Sequence, residues 1–315
     1  MKVHSYAFGI LVMLALSLTF ISCDDDDNMV EEPTIVGFAQ ENADFSTLVD
    51  AVVAADLVDV LNDRNGTYTV FAPTNAAFND FLAANNFSSL SDIPVDLLRQ
   101  VLLFHVFPTV ETSTALATQY YPTAAEFDTD EPINVFINTD GGVRINGTAN
   151  VTGADNDVAN GVIHAIDAVI VPATVVTQAL ANPDFSILVA ALTREDLTTN
   201  FVEILSGTGP FTVFAPTNSA FEALLASNNE WNTLADIPVE TLDAVLRYHV
   251  VNGANVRAGD IVDDADVASF QGATFSIDLD GGPTINAGSN TANIIATDVQ
   301  ASNGVVHAID AVILP

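Results

Sequence analysis

Two hydrophobic periods alternate along the chain, one typical of helices and one typical of strands. Apolar residues at positions 45, 48, 49, 52 and 53 have helical spacing and predict a helix with Asp44 as its N-cap. A second helical stripe, at positions 97, 98, 101 and 102, follows Pro94, which is tolerated in the first turn of a helix. Asp184 and Pro238 take the corresponding places in the second half of the chain. The first part of each half is therefore predicted to be mainly helical.

Between and after these stripes the pattern changes to that of strands. Residues 69–72 alternate, and Pro73 is predicted to stop this strand before a helix that Thr74 or Asn75 caps. The later part of each half is rich in Thr, Val and Ile. Turn sequences in this part, such as Asp-Gly-Gly at 140–142, predict hairpins. Helices first and strands later favour an α+β fold over alternating βαβ units.

The chain carries one sequence pattern twice. TVFAPTN at 69–75 recurs at 212–218, and NGVIHAIDAVIVP at 160–172 recurs as NGVVHAIDAVILP at 303–315. The spacing between the two copies changes only where Gly, Asn or Ser cluster, as expected for insertions in surface loops. Repeats of this length are whole domains rather than the short units of a solenoid.

Composition and charge exclude several functions. The 315 residues include 7 Lys and Arg against 41 Asp and Glu, a formal net charge of −34. Such a surface repels phosphate backbones and anionic lipid headgroups, so we expect no nucleic-acid binding, and membrane contact only through an anchor. Hydrophobic residues make up 49% of the chain, which is too much for a disordered acidic protein.

The N-terminal residues predict export from the cytoplasm. Lys2 precedes an apolar stretch at 7–21, which is too short for an ordinary membrane-spanning helix and is typical of a secretory signal. We therefore predict a signal peptide over residues 1–22.

The end of this stretch predicts a lipid anchor. FISC at 20–23 resembles a bacterial lipobox, and we predict lipidation of Cys23, which is the single cysteine of the chain. The acidic run at 24–27 resembles the export signal of Bacteroidetes-type surface lipoproteins. Residues 23–33 are then an acidic tether that anchors the protein to the outer membrane of the cell envelope, exposed on the cell surface.

The order of the motifs resembles the fasciclin (FAS1) domain family. TVFAPTNxAF, then Tyr-His or Phe-His, then NGVxHxIDxVxxP is the motif order of that family, and it occurs twice. The resemblance implies two tandem fasciclin domains, at 34–172 and 173–315, each a β-wedge with helices packed on it. It also implies adhesion without catalysis, with extracellular matrix proteins, polysaccharide or neighbouring cells as partners. An accessory carbohydrate-binding lipoprotein of a polysaccharide-handling system stays open as the alternative, although Trp231 is the single Trp.

The histidines of the two domains form repeat-equivalent pairs. His105 corresponds to His249, and His164 corresponds to His307. A catalytic His needs a nucleophile or carboxylate beside it, whereas these recur in both copies inside apolar segments. We therefore predict that they are buried, hydrogen-bonded and fold-defining. No second His or Cys stands at ligand spacing, so no metal site is predicted.

Acidic residues give two further predictions. Asp167 and Asp310 follow the strand histidines by three residues, on the opposite strand face, and backbone donors are expected to satisfy them. Acidic clusters at 155–157, 263–266 and 278–280 permit weak surface calcium. The first cluster lacks the Gly and Glu positions of an EF-hand, so we reject that motif and predict no resident cofactor.

Animal fasciclin domains imply a contact surface. In them, receptor binding is attributed to the Tyr-His segment and to an Asp-Ile pair before the terminal motif. The second copy carries Tyr248-His249 and, in altered form, Asp298-Val299. The first copy departs from this pattern with Phe104-His105, and with Asp157-Val158 two residues closer to the terminal motif. The resemblance places the contact surface in the second copy, with a purely fold-defining role as the open alternative.

Overall fold

Helices come first and strands later in each half, as the hydrophobic pattern predicts. A computed structural model describes residues 31–315. The predicted signal peptide, the lipidation site Cys23 and the tether as far as residue 30 lie outside the described residues. Residues Glu32–Pro315 form one compact unit, so the boundary between 172 and 173 stays a prediction.

Each half contributes five α-helices to the described part of the chain. Those of the first half are α1 (Ile35–Glu41), α2 (Ser46–Ala54), α3 (Val58–Leu61), α4 (Asn75–Ala84) and α5 (Val95–Phe104). Those of the second half are α6 (Val175–Ala181), α7 (Ser186–Leu192), α8 (Phe201–Leu205), α9 (Asn218–Ala226) and α10 (Val239–Tyr248). Within residues 31–315 no single helix is long and apolar enough to cross a bilayer, and one pair bent by 102° reaches that length and composition together.

Each half also forms one sheet of seven strands. The first sheet contains β1 (Tyr68–Pro73), β2 (Val106–Phe107), β3 (Gln119–Glu126), β4 (Pro132–Asn138), β5 (Arg144–Ile145), β6 (Ala149–Val158) and β7 (Gly161–Ile166). The second contains β8 (Phe211–Pro216), β9 (Val250–Asn252), β10 (Asp266–Ala268), β11 (Thr274–Asp278), β12 (Thr284–Asn286), β13 (Thr291–Ala301) and β14 (Gly304–Ile309). The strand order is β2-β1-β7-β6-β5-β4-β3 in the first and β9-β8-β14-β13-β12-β11-β10 in the second. The α+β prediction is confirmed.

One parallel strand pair lies near the edge of each described sheet, β1 with β7 and β8 with β14, and the other pairs are antiparallel. Strand β6 pairs with both β5 and β7, and its register shifts between Val151 and Asn156. Strand β13 shifts between Ile294 and Val299 in the same way. Because a bulge bends its strand, the two arms of each sheet diverge there.

Two buried clusters lie on opposite faces of the parallel pair in each half. On β1, Val70 and Ala72 belong to the cluster under the helices, whereas Phe71 belongs to the cluster inside the sheet. The second half repeats this arrangement, with Ala215 in its helical cluster and Phe214 in its sheet cluster. This division follows from the alternation of side chains along a strand.

Several residue-level predictions need correction. The predicted N-cap Asp44 is wrong, because the chain enters α2 through a 3-10 turn at Ala43–Phe45. Asn42 caps this turn, and its side chain accepts from the Asp44 amide at 3.0 Å. Asn182 takes the same role before Asp184. Leu97 is 43% exposed, since only part of its helical stripe faces the core. Thr74 is confirmed as the cap of α4, because its hydroxyl accepts from the third amide of that helix.

Asn160 joins the helices of the first half to its sheet. Its side-chain oxygen accepts from the Ile35 amide at 2.9 Å, and its side-chain nitrogen donates to the carbonyls of Leu61 and Asp63 at 2.9 and 3.0 Å. The side chain is 2% exposed. Asn303 makes the same three bonds, with Val175, Leu205 and Gly207.

The glycine after each of these asparagines lets two strands approach. Gly161 has φ 146°, and a Cβ on it would overlap the carbonyl oxygen of Tyr68 on β1. Gly304 has φ 152°, and its Cβ would overlap the carbonyl oxygen of Phe211 on β8. Glycine is therefore required at both positions for conformation and for space.

Polar side chains join the two halves. The Gln178 amide nitrogen on α6 donates to the Asn134 carbonyl on β4 at 2.6 Å, and the Gln300 backbone amide donates to the Asn134 side chain at 2.8 Å. The Tyr120 hydroxyl donates to the Gln178 carbonyl at 2.9 Å, and burial raises the pKa of this tyrosine. These bonds fix one half against the other, with Gln178 and Gln300 buried and with Tyr120 and Asn134 partly buried.

We expect Asn160→Ala to lower the free energy of unfolding by about 3 kcal/mol, because three hydrogen bonds of about 1 kcal/mol each are lost at a buried position. Equilibrium urea unfolding measures the change. Asn79→Ala, at an exposed position of α4, is the matched control and is expected to stay within about 1 kcal/mol of the unsubstituted protein. Equal stability of the two variants would contradict the role of Asn160.

Candidate functional site

The histidine that ends α5 is a buried link between helix and sheet. His105 Nδ1 donates to the Val101 carbonyl at 2.7 Å, and Nε2 accepts from the Ile170 amide at 3.1 Å. The ring is therefore the uncharged Nδ1–H form, and burial lowers its pKa to about 4. His249 has the same depressed pKa of about 4 and makes the same contacts, with Val245 at 2.7 Å and Ile313 at 3.0 Å.

The histidine of the terminal motif ties the bulged strand to a loop. His164 is fully buried, its Nδ1 accepts from the Asp155 amide at 3.1 Å, and its Nε2 donates to the Glu111 carbonyl at 2.9 Å. His307 repeats this with the Asp298 amide at 3.3 Å and the Val256 carbonyl at 2.9 Å. Burial lowers the pKa of His307.

The Tyr-His pair of the second half lies in the interior. Tyr248 is fully buried, and its hydroxyl donates to the Thr274 carbonyl at 2.9 Å. His249 is 3% exposed. A direct contact between these two side chains and a partner is therefore ruled out by burial in this conformation, and their expected place in a contact surface is corrected to a place in the core.

The Asp-Val pair divides between surface and interior. Val299 is buried, whereas Asp298 is partly exposed at the bulge of β13. Asp298 has φ 59°, and its carboxylate accepts from the Ala258 amide at 2.7 Å. Asp298 therefore stays the accessible member of the predicted contact surface.

In the first half, the equivalent of Asp298 is Asp155 rather than Asp157. Asp155 has φ 58°, and its amide bonds the repeat-equivalent histidine. Its carboxylate accepts from the hydroxyl and the amide of Ser113, which lower its pKa, and its side chain is 40% exposed. We call Asp155 and Asp298 the bulge carboxylates. Sequence comparison missed Asp155, although its distance along the chain to the strand histidine equals that of Asp298.

The carboxylates after the terminal strands are exposed rather than buried. Asp167 accepts from the amide and the side chain of Asn150, at 2.7 and 2.8 Å. Asp310 accepts from Asn293 in the same way, at 2.7 Å each. They follow the last residue of β7 and β14, so they are not on an inward or outward face of the strand. Backbone donors do satisfy them, together with an Asn side chain.

The acidic clusters do not assemble a metal site. No group of three or more His, Cys, Asp or Glu within residues 31–315 is placed to hold an ion. Asp263 instead accepts from the Leu279 amide at 2.9 Å, and Asp278 accepts from the Asp280 amide at 2.7 Å. Weak surface calcium stays a prediction.

A protein-family model matches each half of the chain separately. The Fasciclin domain family model matches residues 43–172 and 183–315, and the chain belongs to this family. A FAS1 domain pair from the insect cell adhesion molecule Fasciclin I has the same fold, with a TM-score of 0.53 and 21% identity over 87% of this chain and 98% of that one. The two halves are therefore tandem fasciclin domains.

Two relatives show how much of each protein is shared. Protein sll1483 of Synechocystis sp. is 45% identical over 142 residues, which are 45% of this chain and 73% of that protein. The transforming growth factor-beta-induced protein ig-h3 of Sus scrofa is 31% identical over 253 residues, which are 79% of this chain. The chain spans only 35% of the length of ig-h3.

We expect stability to fall as the pH drops from about 6.5 towards 4, because His105 and His249 have a pKa of about 4 when folded and about 6.5 when unfolded. The unfolded chain then binds more protons, and each histidine removes roughly 3 kcal/mol across that interval. Urea unfolding between pH 7.5 and 5 measures the slope above the range of most carboxylates.

The histidine ring signals in NMR spectra provide the control. His105 and His249 in the folded protein are expected to stay uncharged at pH 5. Titration of either ring near pH 6.5 would contradict the burial argument.

Proposed function

We propose that this protein is a lipid-anchored adhesion protein that holds a bacterial cell to extracellular matrix proteins, polysaccharide or neighbouring cells. The observation that carries the proposal is the tandem fasciclin fold, which the chain shares with a domain pair from a cell adhesion molecule. The lipobox-like FISC at 20–23 and the acidic run after it support anchoring through Cys23 in the outer membrane, with both domains outside the cell.

The motif histidines support a role without catalysis. A general base needs a ring nitrogen that is free to accept a proton from a substrate. In all four histidines of the domains, both ring nitrogens are engaged with backbone groups. The His164 ring lies 3.9 Å from the Asp155 carboxylate, but its facing Nδ1 already accepts the Asp155 amide proton.

The bulge carboxylates are the best-supported contact surface. Each domain presents one of them, and both are held in the same left-handed conformation by a buried histidine. Two carboxylates at equivalent positions in tandem suit a partner with repeated basic groups, or one reached through bridging cations. Weak contacts of this kind gain strength when many copies are held on one membrane, because linkage raises the effective concentration.

A carbohydrate-binding role is the second candidate, and one observation favours it. Trp231, Asn228, Asn229 and Glu230 line an open pocket of about 530 Å³ in the second domain. An aromatic ring beside amide and carboxylate groups suits a sugar ring. The first domain lacks this set, since LAANNF at 82–87 stands where the second has LASNNEW.

We expect Asp155→Asn with Asp298→Asn to weaken binding to matrix proteins about tenfold, because each exposed charge contributes about threefold. Asn tolerates the left-handed conformation, so the fold is retained. The measurement is binding of the protein to immobilised matrix proteins and polysaccharides. The control pair, Asp80→Asn with Glu222→Gln, removes the same charge from exposed positions of α4 and α9.

Equal binding by the two double variants would contradict the contact surface. The second candidate predicts a different result in the same panel, namely polysaccharide binding that changes the fluorescence of Trp231 and is lost in Trp231→Phe. Binding to none of the matrix proteins, polysaccharides or cells would contradict both candidates.

A further inference from the structure

The second domain has an apolar cavity that opens to solvent. It has a volume of about 250 Å³ and lies between strands β8 to β11 and the segment 256–265. Its walls are mainly apolar side chains: Phe214, Val251, Ile261, Val267 and Ile277. An apolar cavity of about 150 Å³ is large enough for a benzene-sized ligand, so this one accommodates a ring with a substituent.

Strand register identifies the residues that occupy the same place in the first domain. Phe107 and Val251 are equivalent, because each pairs with the Thr of the TVFAPTN motif. Tyr121 pairs with Val135 on β4, and Val267 pairs with Phe275 on β11. Val135 and Phe275 each lie five residues before the Asp of an Asp-Gly-Gly turn, so Tyr121 and Val267 are equivalent. Two aromatic residues of the first domain are thus valines in the second.

The aromatic pair fills the cavity in the first domain. The rings of Phe107 and Tyr121 stack with centroids 5.4 Å apart and planes 8° apart. They are 1% and 8% exposed, and the Tyr121 hydroxyl accepts from the Ala117 amide at 2.8 Å. Valine side chains cannot reach across this space, so the second domain has an opening where the first has a packed core.

At a third position the second domain has the larger side chain, and this side chain closes the inner end of the cavity. Phe275 stands where the first domain has Val135, and its ring lies 5.3 Å from that of Phe214 and 5.6 Å from that of Tyr248. The core of the second domain is therefore complete beneath the cavity. The cavity therefore ends on packed side chains.

The mouth of the cavity is held in place. The Asp264 amide donates to the Ile277 carbonyl, and Asp263 accepts from the Leu279 amide, each at 2.9 Å, which fixes the loop against the end of β11. Val262 on this loop is 68% exposed. An apolar side chain thus borders the opening on the solvent side.

The rim is acidic. Asp260 and Asp266 line the cavity and are exposed, and two more carboxylates follow in the loop at 263–264. Arg257, in the same segment, is directed to Glu131 of the first domain at 3.7 Å. The rim therefore attracts a cationic group and repels an anionic one.

We propose that this cavity is a binding site for small ligands that have an apolar, ring-sized body and a cationic head, which is the chemistry of an aromatic amine. The ring occupies the space that Phe107 and Tyr121 fill in the first domain, and the cationic head meets Asp260 and Asp266. The site is absent from the first domain and is independent of the bulge carboxylates.

Ligand-observed NMR titration of the full chain tests the site with three probes that share one ring. 2-Phenylethylamine carries a cation, toluene is neutral and phenylacetate carries an anion. The amine is expected to bind most tightly, and phenylacetate about tenfold more weakly, because the charge of the head is reversed beside two exposed carboxylates. Tighter binding of phenylacetate would overturn the proposal.

Two sets of variants separate the cavity from its rim. Val251→Phe with Val267→Tyr restores the ring pair of the first domain and is expected to reduce amine affinity at least about tenfold, because the ring loses its buried place. If the double variant does not fold because the inserted rings crowd the core, Phe275→Val is added as a third substitution, since the first domain has Val135 at that position. Asp260→Asn with Asp266→Asn keeps the cavity and is expected to weaken amine binding about fivefold while toluene binding is unchanged.

The outcomes are distinct. Undiminished amine binding by a folded, filled variant overturns the proposal, as does the absence of saturable binding to the unsubstituted chain. If the filled variants do not fold, the rim variant decides, because both positions are exposed and an asparagine at position 260 can still accept the Arg257 amide that Asp260 accepts at 3.1 Å. Equal amine affinity in the rim variant and the unsubstituted chain contradicts the role of the carboxylates.

Discussion

Each domain depends on the close approach of two parallel strands that are distant in sequence. Strand β7 pairs with β1 along its whole length from Tyr68 opposite Gly161, and β14 pairs with β8 in the same register. Gly161 and Gly304 permit this close approach. The asparagine before each glycine accepts a hydrogen bond from the first backbone amide of the first helix in its domain. The strand pair, the helical layer and the histidine of the terminal motif are thus positioned from one short segment, which recurs almost unchanged in both copies.

The sequence predicted those features that depend on local chemistry. The presence of the helices, the Thr74 cap and the order of helices and strands follow from spacing and residue type, and the structure confirms them. The predicted stripes are confirmed only in part, because Val53 and Leu97 are exposed. Contacts that depend on tertiary geometry were not accessible in this way. Burial of Tyr248 and the bonds between Gln178 and the other domain both need the sheet packing or the domain arrangement. Repeat positions that differ in polarity are the signal that marks such places.

Differences between the copies are therefore as informative as their shared motifs. The shared residues close the cores, and the same histidines are engaged by backbone groups in both domains. The second domain alone exchanges two packed rings for valines and gains one residue in the loop that carries Glu230 and Trp231. The first domain alone presents Asn134 to its neighbour. A scaffold shared by the two copies, with unequal surfaces, agrees with the proposed adhesion by repeated contact and with the proposed ligand site in one domain.

The most direct test of the central constraint is to compare Gly161→Ala with Gly142→Ala by urea unfolding. Both glycines have a positive φ, 146° and 127°, but a Cβ on Gly142 meets no atom within 4 Å. Gly142→Ala is expected to cost about 1–3 kcal/mol of stability from backbone strain alone. Gly161→Ala is expected to cost substantially more or to prevent folding of the domain, because the added carbon overlaps β1. Equal losses in the two variants would show that the close approach of the strands does not determine the fold.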